Sequence, residues 1–176
     1  MDYTNKIIED LLGKFQPIIG NDFRLYRNHV YRVYLNCLII DAKSGNEPKY
    51  AIASVFHDIG IWTDHTFDYL DPSIKQAKLY LMGINKQEWI EEISAMIYWH
   101  HKISSYKGKD QAIVENFRKA DWIDVCFGLK TYGVDKNKIR QNIKAIPTAG
   151  FHFFLLKKTF RQFLKQPWRP LPMFKK

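Results

Sequence analysis

Apolar residues recur at helical spacing along nearly the whole chain. In the first such segment, Ile7, Leu11 and Phe15 fall on one face of a helix. A stripe of this kind must be buried against another element, so several stripes in one chain predict a helical bundle. No stretch alternates apolar and polar residues as a half-buried strand does. We therefore predict an all-α fold of seven to eight helices, over about 4–16, 23–43, 50–59, 72–82, 86–101, 110–130, 135–145 and 149–165.

The length of 176 residues suits one domain with a substantial core. Neither an internal repeat nor a linker long enough to separate two domains is visible. We expect a single domain over residues 1–176, with its core at about 23–130 and C-terminal helices at 135–165. Cys37 and Cys126 form no CxxC pair and are expected to be buried thiols. Without a transmembrane or signal-peptide pattern, the expected location is cytoplasmic.

The dipeptide His57-Asp58 lies in the strongly apolar segment YAIASVFHDI, residues 50–59. A carboxylate buried in such surroundings costs several kcal/mol unless it is paired or binds a metal ion. Imidazole and carboxylate both suit a borderline divalent cation, and His29 and Asp121 lie on other predicted helices. The four residues together predict a metal site in the core of the bundle. The alternative is that both histidines are core residues held by local hydrogen bonds.

The order of these four residues resembles the HD-domain metal-dependent phosphohydrolase superfamily over roughly residues 23–130. The match is His29 in YRNHVYRV, His57 and Asp58 in SVFHDIGIW, and Asp121 in RKADWIDV. The longer pattern, with TFDYLDPS and MIYWHHK, is similar to small stand-alone bacterial HD proteins. The resemblance implies a helical bundle of the HD-domain type and hydrolysis of a small phosphorylated compound, such as a nucleotide.

In that chemistry a metal-bound water attacks the phosphorus, and the ion polarises a phosphoryl oxygen. The sequence does not distinguish among Mn, Fe, Co, Ni, Zn and Mg, or between a phosphomonoesterase and a phosphodiesterase. Some HD proteins bind a second ion through histidines that follow the HD pair, and His100 and His101 stand in a similar region. The expected number of ions is therefore one or two. The alternative is that one of these histidines caps a helix end, where a protonated imidazole is favourable, and that the other is exposed to solvent.

Three polar residues follow the motif in the segment of residues 61–71, which we predict to be an ordered loop over the site. Asp64 or Asp68 would act as a general base, and His65 would donate a proton or bind the ion. The alternative is a loop that uses aspartate only for its turns. Ile61 and Trp62 occupy the positions where nucleotide-cleaving HD proteins carry an acid, which argues against copying the substrates of those enzymes.

Three cations are candidates for binding the substrate phosphate. Lys102 follows the histidine pair, and Arg118 and Lys119 precede Asp121 on its predicted helix. Arg118 lies about one turn from Asp121, so its guanidinium could neutralise a phosphate there. Their alternative role is to solvate the surface.

The chain carries 27 basic and 18 acidic residues, a net charge of +9, which favours anionic partners. Residues 157–176 contain no acid, and the aromatic residues among them would pack while the cations face solvent. The same tail could contact RNA or a lipid surface. Two further readings stay open: a nucleic-acid-binding module with a structural metal site, and a di-iron oxygenase-type enzyme on the same fold. The substrate and the oligomeric state are not defined by the sequence.

Overall fold

The computed structural model describes residues 3–41, 44–168 and 171–174. Over these ranges the regular structure is entirely helical, with eight α-helices of ten or more residues and one of a single turn. The α-helices are α1 (Lys6–Ile19), α2 (Phe23–Ile40), α3 (Glu47–Phe56), α4 (Gly60–Thr63), α5 (Leu70–Gly83), α6 (Ile90–Trp99), α7 (Gln111–Val125), α8 (Lys136–Ala145) and α9 (Phe151–Lys165). The predicted all-α fold of seven to eight helices is confirmed.

Helices α2 and α7 form the central pair of the bundle. α3 packs against α2, and α6 packs against α7 and α5, so the central pair is covered by further helices. Charged side chains are nevertheless buried at its centre, among them Arg32, Asp121 and Asp124. Because a buried charge is costly without a partner, this part of the core must provide polar contacts of its own.

The segment that carries His57 and Asp58 is a turn rather than the end of a longer helix. α3 ends at Phe56, and the chain turns over residues 57–59 before α4 begins at Gly60. The prediction of one helix over 50–59 is therefore wrong at its C-terminal end. Gly60 lets residues 69–73 pack closely against this turn, because a Cβ at Gly60 would lie 2.5 Å from the carbonyl oxygen of Tyr69. The backbone N–H of Gly60 also donates to Ser73 Oγ at 2.9 Å.

Several other predicted helix boundaries need correction. α2 ends at Ile40 rather than at 43, and residues 42–43 lie outside the described ranges. α5 begins at Leu70, two residues before the predicted start at 72. Residues 60–63 form a helical turn within the segment predicted as a loop. α7 ends at Val125 rather than at 130, because Phe127 and Gly128 have φ angles of 53° and 71°, which helices do not accommodate.

α9 and the segment after it expose much of their apolar surface. Phe160, Phe163 and Trp168 are exposed, so the prediction that the aromatic side chains of the tail pack is wrong for these three residues. α9 packs on α2 through a different face, which begins at the buried Phe151. Phe174 does pack against the core. The predicted basic tail also includes Arg169, Lys175 and Lys176, which lie outside the described residues.

Within the described ranges, no helix is both long enough and apolar enough to cross a membrane. Cys37 is buried, as predicted, whereas Cys126 is only half-buried, and neither cysteine forms a disulfide.

Candidate metal centre

The six side chains predicted as metal ligands lie together where α2, α3, α6 and α7 meet. α2 contributes one histidine, the turns after α3 and α6 contribute two residues each, and α7 contributes one aspartate. Five of the six are buried, and the sixth, His101, is 13% exposed at its side chain. The residues are His29, His57, Asp58, His100, His101 and Asp121.

The Nε2 atoms of His29 and His57 lie close to each other and to one oxygen of each aspartate, at distances that suit ligands of one ion. Nε2 of His29 is 2.9 Å from Nε2 of His57. These two nitrogens lie 3.6 and 3.5 Å from Oδ2 of Asp58, and 3.5 and 3.8 Å from Oδ1 of Asp121. Ligand atoms about 2.0–2.2 Å from a first-row ion lie roughly 3.0–3.5 Å from each other. The observed separations fall in or near that range.

The second oxygen of each aspartate faces the other two histidines. Oδ1 of Asp58 is 3.4 Å from Nε2 of His100, and Oδ2 of Asp121 is 3.7 Å from Nδ1 of His101. The donor atoms thus fall into two groups, one around His29 and His57 and the other around His100 and His101. Asp58 and Asp121 lie between the two groups and face each with one oxygen. Asp58 belongs to both of the residue groups that are close enough to hold an ion.

Hydrogen bonds fix the orientation of three imidazole rings. Nδ1 of His57 and Nδ1 of His100 each donate to a backbone carbonyl, at 2.8 and 2.6 Å. Nδ1 of His29 donates to Oδ2 of Asp124 at 2.7 Å. Because these oxygens only accept, each Nδ1 carries the hydrogen, and Nε2 of the neutral ring keeps a lone pair. All three lone pairs face the centre, which is the arrangement of metal-binding histidines.

The donor set fits a divalent cation because it is unsatisfied without one. In the described part of the chain, Oδ1 of Asp58, both carboxylate oxygens of Asp121 and Nε2 of His100 are buried and make no hydrogen bond of good geometry. Oδ1 of Asp58 and Nε2 of His100 lie 3.4 Å apart and would pair if that ring were protonated. Buried carboxylate oxygens are costly when they are left unpaired. Two imidazole lone pairs 2.9 Å apart repel each other unless a proton or a metal ion lies between them or beside them. These buried His and Asp groups can therefore hold a metal ion.

Burial also sets the protonation of the donors. It lowers the pKa of His57 to about 3, so the ring is neutral near pH 7, as a metal ligand must be. Burial raises the pKa of Asp121 to about 7, although the nearby His100 and His29 oppose the shift. The Asp121 carboxyl thus titrates near neutral pH, and a cation bound beside it would favour the ionised form.

Asp124 and Arg32 support the centre from behind, and the sequence analysis did not single them out. Asp124 accepts from Nδ1 of His29 and from Nε and Nη2 of Arg32, the latter at 2.5 and 2.9 Å. Burial raises the pKa of Asp124, but these donors outweigh it and hold the pKa at about 2. The spacing in the sequence could have indicated both residues. Arg32 follows His29 by three residues and Asp124 follows Asp121 by three, which places each pair on one helix face.

Aromatic side chains close the centre on two sides. The ring of Phe151, at the start of α9, stacks on His29 with a centroid separation of 3.8 Å. The hydroxyl of Tyr69 is 2.5 Å from Nε2 of His101, and Phe174 lies against the same histidine. Phe151 and Phe174, which belong to the C-terminal part of the chain, therefore help to exclude water from His29 and His101.

The three loop residues predicted to act in catalysis are exposed or half-buried, whereas five of the six clustered side chains are buried. Asp64 is exposed and accepts from the hydroxyl of Thr63 at 2.7 Å. His65 is exposed and lines a surface pocket that residues of α9 also line. Asp68 is half-buried, and its backbone N–H donates to Thr66 Oγ1. A catalytic role for Asp64, His65 or Asp68 stays a prediction.

The predicted substrate-binding cations are partly engaged elsewhere. Both Nε and Nη2 of Arg118 donate to the carboxylate of Glu115, at 2.8 and 2.7 Å. The ammonium of Lys102 is buried 4.6 Å from the centre of the Tyr98 ring. Lys119 is half-buried on α7. Phosphate binding by Lys102, Arg118 and Lys119 stays a prediction, and for Arg118 it would require competition with a carboxylate.

When compared with known proteins, the chain matches no family model, no curated protein and no solved structure. The resemblance to the HD-domain superfamily therefore stays a prediction that depends on the motif residues themselves.

Proposed function

We propose that this protein is a metal-dependent phosphohydrolase whose ion is held by His29, His57, Asp58 and Asp121. The observation that carries the proposal is the buried set of inward-facing Nε2 atoms and unpartnered carboxylate oxygens. A divalent ion bound there would polarise a phosphoryl oxygen and lower the pKa of a coordinated water. The order of the ligands along the chain, which resembles the HD-domain pattern, favours phosphate ester hydrolysis over other metal chemistry.

The chain's own residues have distinct tasks in this proposal. Asp124 and the carbonyl behind His57 hold the two imidazoles in the tautomer that binds metal. Asp58 and Asp121 each present their other oxygen to the second histidine pair. We infer that His100 and His101 would hold a second ion with these shared carboxylates. A donor set this rich in imidazole favours a first-row transition metal over magnesium.

One further function has a specific observation in its favour. Two groups of histidines joined by shared carboxylates would also suit a pair of iron ions. An iron-dependent oxygenase is therefore the second candidate. It predicts iron in the purified protein and a visible absorption band that changes on reduction, which the hydrolase does not require.

The first experiment is elemental analysis of the purified protein, side by side with Asp58→Ala. We expect about one to two transition-metal ions per chain in the wild type and a loss of metal in the variant. Asp10→Ala is the matched control, because Asp10 forms only an exposed pair with Lys6. Phosphate release from nucleotides, sugar phosphates and simple phosphate esters is then measured with each ion.

Two results would contradict the proposal. One is a protein that neither contains metal nor takes it up on reconstitution. The other is phosphatase activity that survives both chelation and Asp58→Ala.

A further inference from the structure

A cavity of about 330 Å³ opens beside the candidate metal centre. Its inner end is formed by Asp121, His101 and Tyr69, and its outer walls come from α7, α9 and residues 171–174. Asp121 is almost completely buried in the bundle but still lines this space. The cavity therefore connects the surface with residues that would hold the ion.

The walls of this cavity are mainly apolar and aromatic. Phe67, Trp122, Val125, Leu155 and Met173 are representative of them. None of the described residues that line the cavity is a lysine or an arginine. Away from the inner end, the cavity offers few polar side-chain atoms, those of Trp122, His152 and Thr159. A phosphate group or a sugar with several hydroxyls would therefore lose more hydrogen bonds to water there than it gains, which is unfavourable. An apolar group would lose only unfavourable contacts with water.

The size of the cavity limits what can enter it. Small-molecule pockets span about 300–1,000 Å³, so this one lies at the low end of the range. This volume is still large enough for a small organic molecule, so the apolar lining rather than the size favours an aromatic ring or an alkyl chain over a nucleoside.

We propose that the substrate is a phosphomonoester of a small apolar alcohol, aryl or short-chain alkyl, with its apolar group in this cavity. The proposal rests on the proposed function and narrows its substrate class. In the reaction, the oxygen of water bonds to phosphorus and the bond from phosphorus to the ester oxygen breaks. The alcohol leaves with a proton, and inorganic phosphate is the other product. The phosphoryl group lies at the inner end, near Asp121 and His101.

The cavity can be tested separately from the chemistry. Metal-free protein is titrated with phenol, 4-ethylphenol and 4-butylphenol by calorimetry. We expect binding to tighten about fourfold for each methylene that enters the cavity. Leu155→Trp, which fills the cavity from α9, should weaken the binding of 4-butylphenol at least about tenfold. Leu164→Trp is the control on the same helix, because Leu164 is exposed and does not line this cavity.

The substrate class is tested on metal-loaded protein with phenyl phosphate, hexyl phosphate and AMP. We expect kcat/KM to favour the two apolar esters over AMP, and Leu155→Trp to raise KM for hexyl phosphate. Thermal unfolding and metal content check that the variants are intact, and Thr159→Phe is a second filling variant if Leu155→Trp does not fold.

The outcomes separate the two proposals. Preferred hydrolysis of AMP, or phenol binding that neither filling variant affects, would overturn the substrate assignment while the phosphohydrolase proposal stands. Phenols that bind with the expected chain-length dependence, together with no hydrolysis of any ester, would overturn the phosphohydrolase and leave the cavity as an apolar binding site.

Discussion

Replacing Asp124 with asparagine keeps the shape of the side chain but leaves it with one oxygen and one NH₂ group. In the native structure three donors, one from His29 and two from Arg32, meet the two carboxylate oxygens. If the amide nitrogen faces His29, Nδ1 must accept, so the hydrogen moves to Nε2 and removes the lone pair from the centre. If it faces Arg32, two N–H groups collide, and in either orientation the guanidinium loses its charge partner.

The expected losses of metal affinity and of folding free energy follow from these two orientations of the amide. Loss of a partner behind a metal-bound histidine typically costs about 10–100-fold in affinity, or roughly 1.4–2.7 kcal/mol. Arg32 is completely buried, and breaking a buried ion pair costs about 3–5 kcal/mol of folding free energy. Arg32 keeps contacts to two backbone carbonyls at 3.3 and 3.1 Å, so we expect the lower end of that range.

Metal affinity is measured by competition with a chromophoric zinc chelator, and stability by urea unfolding of the metal-free protein. Asp10→Asn is the control, because its exposed ion pair with Lys6 should contribute about 0–1 kcal/mol. One orientation of the amide should cost zinc affinity and the other should cost stability, so a folded Asp124→Asn protein that keeps its zinc affinity within about threefold and its free energy of unfolding within about 1 kcal/mol of the wild type would refute the reasoning.

Three further predictions concern packing and charge. Phe151→Ala should lower the free energy of unfolding in urea by about 3–5 kcal/mol, because the ring is buried against His29. The control Phe153→Ala removes an exposed ring and should lower it by less than about 0.5 kcal/mol, so equal decreases would contradict the prediction. Gly60→Ala should lower the free energy of unfolding by about 1–3 kcal/mol, because the added Cβ would lie 2.5 Å from a carbonyl oxygen. Gly83→Ala is the control, because the space around Gly83 is open, and thermal unfolding compares the two variants. Burial raises the pKa of Glu115, but its hydrogen-bonded arginine partner outweighs burial and lowers the pKa below the ordinary 4.5. The difference in free energy of unfolding between the wild type and Glu115→Gln should therefore be full above pH 4.5 and disappear as the pH falls through the lowered pKa. A difference that stays constant from pH 7 to 3 would count against the pairing.

The helices could be predicted from the sequence because apolar periodicity is a local signal. The exact end of α3 at Phe56 could not, because residues 50–59 form a nearly continuous apolar segment with no glycine or proline before Gly60. The same limit applies to the exposed face of α9. The spacing of Phe160 and Phe163 shows an apolar stripe but does not reveal whether another element covers it.

The candidate site likewise contains residues that the sequence predicts and residues that it does not. The six clustered side chains could be named from the motif and from the histidine pair that follows it. Asp124 and Arg32 were harder to find, because charged residues on a helix usually face solvent and only their three-residue spacing indicates otherwise. The cavity could not be predicted at all, because its walls come from segments that include Phe67, Val125, Leu155 and Met173 and that meet only in the folded bundle.

The centre draws its side chains from four places between His29 and Asp121, and no contiguous segment contains the full donor set. A chain emerging from the ribosome could not present the complete set until α7 had been made and packed against α2. An ion held there would act as a cross-link between distant parts of the chain. At a free ion concentration of 100 times Kd, it would add about 2.7 kcal/mol to the free energy of unfolding. Depletion of metal in the cell would then shorten the lifetime of the protein as well as stop its chemistry, because the metal-free form would unfold more often and be degraded sooner.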